Sequence, residues 1–225
     1  MCGRFTLSTP AQTLQQIFDL TETPDLPPRY NIAPSEAIAT VRRPEPDGER
    51  HLDLLRWGLV PPWAKDLDVG ARLINARAET AASKPAFRAA FRRRRCLVPA
   101  DGFYEWQRVE RRGKQPFHIQ MRDGQPFAFA GLWEHWEGPQ GDALDTCTIL
   151  TTEPSELVRP IHDRMPVILD PSDWELWLDP GMQEPTRLQP LLRPYPPEQM
   201  IAFPVSEMVN NPANDRAACI VPRAA

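Results

Sequence analysis

Prolines punctuate this chain from end to end. They make up 27 of its 225 residues, about 12% against a usual share near 5%. Each one lacks a backbone N–H and fixes φ, so it ends or kinks a helix and is confined to the margins of a sheet. Because they are spread rather than clustered, the chain is expected to fold through short elements joined by many loops. Apolar residues at 41% and charged residues at 25% still match globular averages, so a packed core is expected. The length suits one domain over residues 1–225.

Thr9-Pro10-Ala11-Gln12 reads as a helix start, with Thr9 as N-cap, Pro10 at the first helical position and Gln12 completing a capping box. Ala11, Leu14, Ile17 and Phe18 then recur at helical spacing, which puts Cys2 just before a core-packed helix. Residues 20–34, rich in Pro, Thr and Asp, read as a loop. Asp47-Gly48 reads as a turn between two short strands, the second carrying His51, Leu52, Leu54 and Leu55. A helix from about Pro85, capped by Ser83, sets Ala86, Phe87, Ala90 and Phe91 on one face.

From Cys96 onward strand patterns dominate, over 96–98, 103–107, 117–121, 126–133 and 146–151, with turns at Asp101-Gly102 and Asp123-Gly124. Asp170-Pro171 opens a last helix through Leu178, and a strand follows over 200–205. Strands and helices do not alternate as βαβ units would. The expected class is therefore α+β, a curled, barrel-like and mostly antiparallel sheet surrounded by helices.

Several functions are disfavoured at once. No GxGxxG, GxxxxGK[ST], HExxH or GxSxG is present, so no cofactor is called for. The four cysteines, Cys2, Cys96, Cys147 and Cys219, are far apart, with no CxxC and no clustered His. That points to neither a metal site nor a disulfide scaffold, and Cys96, Cys147 and Cys219 read as buried free thiols. No charged n-region precedes an apolar stretch, and no apolar run is long enough to span a bilayer, so a soluble, cytoplasmic protein without membrane partners is expected. The net charge of −4 argues against an ordinary basic nucleic-acid binder. Any such contact would be local, through arginines such as Arg4, Arg77 and Arg164. The run at 92–95 reads as a solvated helix end.

The most unusual feature is Met1-Cys2-Gly3-Arg4-Phe5. Loss of Met1 would leave an α-amine and a thiol on adjacent carbons, a pair suited to an aldehyde: the amine forms an imine and the thiol closes a thiazolidine on the same carbon. Reference pKa values leave a useful fraction of the amine neutral at pH 7, so either group could attack. Strand periodicity over residues 73–77 would point Asn75 and Arg77 to one face, although an exposed strand pair fits equally. In Gly102-Phe103-Tyr104-Glu105-Trp106, Glu105 sits among aromatics, where partial burial would raise its pKa, although a half-exposed strand glutamate is the commoner case. His162, between Pro160 and Pro166, is a natural acid–base group. His51, His118 and His135 read as surface or satisfied core residues.

Taken in order, Met1-Cys2-Gly3-Arg4-Phe5, Arg29-Tyr30-Asn31-Ile32-Ala33-Pro34, Trp57-Gly58-Leu59, residues 74–80 (Ile74-Asn75-Ala76-Arg77-Ala78-Glu79-Thr80), Gly102-Phe103-Tyr104-Glu105-Trp106 and His162-Asp163-Arg164-Met165-Pro166 resemble the SRAP (SOS-response-associated peptidase) family of abasic site processing proteins, over nearly the whole chain. The resemblance implies a largely single-turnover enzyme of DNA repair with lyase- and peptidase-like chemistry. It would sense abasic sites in single-stranded DNA, crosslink their aldehyde to Cys2 after autoproteolytic loss of Met1, and reverse the crosslink itself. Asn75, Glu105 and His162 fall on the family's active-site positions, for holding the amine or sugar, shuttling protons, and assisting ring opening and reversal. By the same analogy Arg4, Arg77 and Arg164 grip phosphates, Pro34 and Trp63 wedge or stack against bases, and Thr151 joins the DNA-binding set. Ala64 stands where a second aromatic would extend the stack. A monomer acting at the nucleoid, with replication-fork proteins as further partners, is the implied setting. Two other readings remain: an N-terminal-nucleophile cysteine peptidase using Cys2, and a non-covalent single-strand binder using Trp63 and arginines.

Overall fold

The computed structural model describes residues 2–46, 48–109 and 113–223. Met1 and Asp47, to which the sequence assigned a cleavage and a turn, lie outside the described residues. In chain order the elements are β1 (Phe5–Leu7), α1 (Ala11–Phe18), β2 (Arg29–Ile32), β3 (Ala37–Arg42), β4 (His51–Trp57), β5 (Asn75–Arg77), α2 (Ala78–Ala81), α3 (Arg88–Arg93), β6 (Arg95–Ala100), β7 (Gly102–Val109), β8 (Gly113–Met121) and β9 (Phe127–Glu137). They continue with β10 (Ala143–Thr152), β11 (Met165–Pro166), β12 (Ile168–Leu169), α4 (Trp174–Leu178), α5 (Pro185–Leu188) and β13 (Met200–Pro204). The longest helix among the described residues, α1, has eight residues, in keeping with the spread of prolines.

Strands β10, β4, β3, β6 and β9 pair in that order, and β9 pairs back onto β10, closing a five-stranded barrel. Its one parallel seam joins β4 to β10, with Arg56 opposite Thr146. Strand β5 runs parallel to the same strand further along, so Asn75 faces Ile149 and Arg77 faces Thr151. A second, antiparallel sheet has the order β13-β8-β7-β1-β2. The expected α+β class with a barrel-like sheet is what the structure shows.

Aromatic side chains join the two sheets. Phe5 of β1 packs edge-on against Trp57 at 5.3 Å and Phe129 at 5.8 Å, and Phe103 of β7 meets Phe129 at 6.0 Å. All four are fully buried, so truncating Phe5 would cost about 3–5 kcal/mol and loosen the segment that carries Cys2. Trp57 also donates its indole N–H to the Ile74 carbonyl at 2.9 Å, fixing the approach to β5. That approach needs two glycines in contact: a Cβ on Gly58 would meet the Gly70 carbonyl oxygen at 2.7 Å, and Gly58 has φ +131°.

Several local expectations are corrected. Strand β1 lies between Cys2 and α1, and Thr9 does not cap α1: its amide and hydroxyl, with those of Ser8, bind the Asp101 carboxylate. Instead Pro10 precedes the helix and its carbonyl accepts from Thr13 and Leu14. Strand β2 lies inside the supposed loop, held by Arg29 pairing with Glu36 and Asp215. The helix expected from Pro85 begins at Arg88, and the Ser83 hydroxyl bonds back to the Thr80 carbonyl. The arginine run is not one solvated face, because Arg95 is 3% exposed and donates to the carbonyls of Phe91, Arg92, Trp177 and Asp179.

Candidate functional site

Strand β7 brings Glu105 to the site. Its neighbour β1 runs antiparallel, with Phe5 opposite Phe103 and Thr6 opposite Gly102, and the Tyr104 amide donates to the Arg4 carbonyl at 2.9 Å. Continued one step, that register sets Gly3 beside Glu105, with Cys2 next along the chain. Both side chains are buried, Cys2 at 0% and Glu105 at 1% exposure. Removing charge-stabilising water raises the pKa of each acid. Burial therefore pushes Glu105 up to about 7, with Asp163 adding to the rise. Burial first, and then the charge of Glu105, holds the Cys2 thiol far above its ordinary value. A thiol so held is a poor source of free thiolate, which favours the amine over the thiol as the group that opens a reaction.

His162 arrives from the barrel side. Turns over residues 155–162 end with its amide donating to the Val158 carbonyl at 2.9 Å, and β11 follows at once, pairing Pro166 with Thr151. Its Nε2 lies 3.8 Å from Glu105 Oε2. Its pKa is lowered, chiefly by burial. The last residues of β10 thus have β5 on one side and β11 on the other, a junction that gathers segments far apart in sequence. Asn75 is half-buried; its Nδ2 donates to the Ile149 carbonyl at 3.4 Å. Its Oδ1 is buried with no hydrogen-bond partner among the described residues, and a lone acceptor of this kind is costly unless something fills it.

The remaining predicted residues divide into tethered and open. Arg4 donates Nη1 to Asn31 Oδ1 and to the Val209 carbonyl, each at 2.8 Å, and sits 5.9 Å over the Trp106 ring. Arg164 forms a two-pronged ion pair with Glu79 at 2.6 and 3.0 Å and donates to the Thr151 carbonyl at 2.6 Å. Thr151 itself is fully buried. In contrast, Arg77 is exposed, Trp63 is 65% exposed, and Pro34 sits half-buried at the turn between β2 and β3. Ala64 is buried under Trp136, whose indole donates to its carbonyl.

An open cleft of about 740 Å³ adjoins His162, with Trp106, Arg108 and Arg159 among its walls. Sequence reasoning gave these three no role. Strand alternation puts Trp106 and Arg108 on one face of β7 and could have found them; nothing local marks Arg159. Of the predicted thiols, Cys96, Cys147 and Cys219 are buried and free. Among the described residues no group of three or more His, Cys, Asp or Glu is arranged to hold a metal, and no helix is long and apolar enough to cross a membrane.

Residues 1–212 match the family model described as SOS response associated peptidase (SRAP). Abasic site processing protein YoqW of Bacillus subtilis (strain 168) is 47% identical over 219 residues, covering 96% of each chain. Abasic site processing protein HMCES of Gallus gallus is 36% identical over 226 residues, covering 87% of this chain and 66% of its own. A crystal structure of a Bacteroides thetaiotaomicron protein shares the fold, with TM-score 0.87 at 24% identity over 99% of this chain and 100% of that one. A Bordetella bronchiseptica protein matches with TM-score 0.78 at 28% identity, covering 91% and 100%.

Proposed function

The chain belongs to the SOS response associated peptidase (SRAP) family, and from that premise we propose that it processes abasic sites in single-stranded DNA by capturing them covalently on Cys2. The observation that carries this reading is the Glu105 carboxyl, 1% exposed, with a pKa near 7, next to Cys2 and 3.8 Å from His162 Nε2. A carboxyl that titrates near neutrality can both give and take a proton, as a multistep condensation needs.

Removal of Met1 frees the Cys2 amine, which adds to the C1′ aldehyde of the ring-opened sugar. Glu105 gives its proton to the departing hydroxyl, water leaves, and a protonated imine forms. The thiol then adds to the same carbon. Its proton returns to Glu105, restoring the carboxyl, and the five-membered thiazolidine closes with its nitrogen neutral. Aldehyde and aminothiol thus become thiazolidine and one water. The order is amine first, because the raised thiol waits for Glu105 to accept its proton. His162 Nε2 exchanges protons with Glu105, assisting sugar ring opening and reversal. The lone Oδ1 of Asn75 accepts from the amine or a sugar hydroxyl. Exposed Trp63 and Arg77 offer a base platform and a phosphate contact, which suits a single strand with accessible bases.

A cysteine peptidase would need the same loss of the Cys2 thiol proton to a base such as Glu105, so the two readings part over substrate. Titration separates the two. A fixed amount of protein should consume an abasic oligonucleotide one to one and then stop, with no peptide turnover. Catalytic peptide cleavage without a DNA adduct would instead support the peptidase.

A further inference from the structure

Glu79 lies on α2, and its side chain is 52% exposed. Both carboxylate oxygens nevertheless engage one partner: Arg164 Nη1 and Nη2, at 2.6 and 3.0 Å. Arg164 pulls the Glu79 carboxyl below its ordinary range, so the pair is ionised. A two-pronged guanidinium–carboxylate pair fixes orientation as well as distance. Nη2 also donates to the Thr151 carbonyl at 2.6 Å, tying Arg164 to the end of β10.

The held residue acts on the histidine through its backbone. The Arg164 amide donates to His162 Nδ1 at 3.0 Å. An amide N–H can only donate, so this contact keeps the proton off Nδ1 and on Nε2, the nitrogen that faces Glu105; the tautomer is assigned from this network. Two acceptors pull the other way: Asp163 Oδ1 at 3.0 Å and the Arg164 carbonyl at 3.2 Å from Nδ1. Asp163 is 88% exposed, where solvent competes for its carboxylate, so the part-buried amide contact prevails while Arg164 stays in place. The charged groups acting on the ring include the chain's amino terminus, Asp163 in its own turn, Lys114 from β8 and Glu105 from β7.

We propose that Glu79 is a positioning residue for His162: by clamping the Arg164 side chain it holds the Arg164 amide against Nδ1, and so keeps the Nε2 proton directed at Glu105. This rests on the reading of His162 as a proton-exchanging group of the crosslinking site. It also gives Glu79 a different part from that of a counter-anion displaced from Arg164 by phosphate.

The test uses the full chain with Glu79→Gln and Glu79→Asp. Nitrogen-15 spectra of the His162 ring near neutral pH should show the Nε2-protonated form in the parent, a shift toward Nδ1–H in Glu79→Gln, and an intermediate position in Glu79→Asp. The crosslinking rate with abasic single-stranded DNA should fall about tenfold in Glu79→Gln, less than the roughly 10²–10⁴ that a placed acid–base group itself contributes, because Glu79 acts through His162. Glu79→Gln should subtract nothing further from His162→Ala, and affinity for a strand carrying a tetrahydrofuran abasic analogue should not change. Ring shifts identical to the parent would overturn the proposal. So would tighter binding of the analogue strand at an unchanged rate, which would make Glu79 a competitor of phosphate. A parent that forms no crosslink defeats the proposed function, while the ring spectra still decide the part played by Glu79.

Discussion

Nε2 of His162 lies 3.8 Å from Oε2 of Glu105, and the two come from different parts of the fold: Glu105 from β7 of the second sheet, and His162 from the turn that leads into β11 on the barrel. Burial raises the acid to about 7 and lowers the base below its ordinary value, so the carboxyl no longer gives up its proton before the imidazolium does, and the shared proton stays with Glu105.

Replacing Glu105 tests that coupling in two ways. Glu105→Gln should slow crosslinking by roughly 10²-fold in quenched time courses and leave affinity for an abasic-analogue strand unchanged. Equal loss of affinity would argue for a binding role.

The same substitution has a sign in stability. The folded protein keeps the Glu105 proton up to about pH 7, whereas the unfolded chain releases it near 4.5. Stability therefore falls as pH rises through that window, and the cost, about 3 kcal/mol, is complete above it. Glu105→Gln should raise the urea midpoint at pH 8 and leave it nearly unchanged at pH 4. A lower midpoint at pH 8 would contradict the buried-carboxyl account.

Cys2→Ala should abolish the covalent product yet retain weak, salt-sensitive DNA binding, because phosphate contacts survive. Gel shifts at two salt concentrations, read beside denaturing gels, separate these outcomes.

Trp63 is 65% exposed, so Trp63→Ala should hardly alter thermal stability. Lost base stacking should weaken single-strand affinity by about 1–3 kcal/mol, as fluorescence anisotropy would show.

Arg95 has the opposite profile. Its guanidinium serves four carbonyls and lies 5.7 Å over the Trp177 ring. Arg95→Ala would strand those acceptors in the interior and should cost at least about 3 kcal/mol in urea unfolding, with intrinsic chemistry at Cys2 unaffected wherever the protein stays folded.

Some of this was legible in the sequence, and the reason varies with the element. β10, β7 and α4 were read nearly in place because each carries its own periodicity. β5 and β11 are only three and two residues long and exist as strands through their register with β10, so no local pattern defines β11. β2 was hidden because its anchors, Asp215 and the carbonyls of Val209, Asn211 and Asn214 that hold Asn31, lie at the far end of the chain. Cys2 stood out by position alone. Glu105 could be suspected from its aromatic neighbours. Its meeting with His162, and the clamp of Glu79 on Arg164, depend on how two sheets join, which residue spacing does not encode. The burial of Arg95 inside a run of four arginines was likewise invisible, since composition marks the run and only the packing of Trp177 selects one member.

The most direct test of covalent capture is the intact mass of the purified protein before and after incubation with a uracil-containing single-stranded oligonucleotide treated with uracil glycosylase. The account predicts a starting mass lacking Met1 and a product equal to that protein plus the oligonucleotide less one water, stable to denaturation without borohydride. A chain that keeps Met1, or one to which the abasic strand adds no mass, would contradict it.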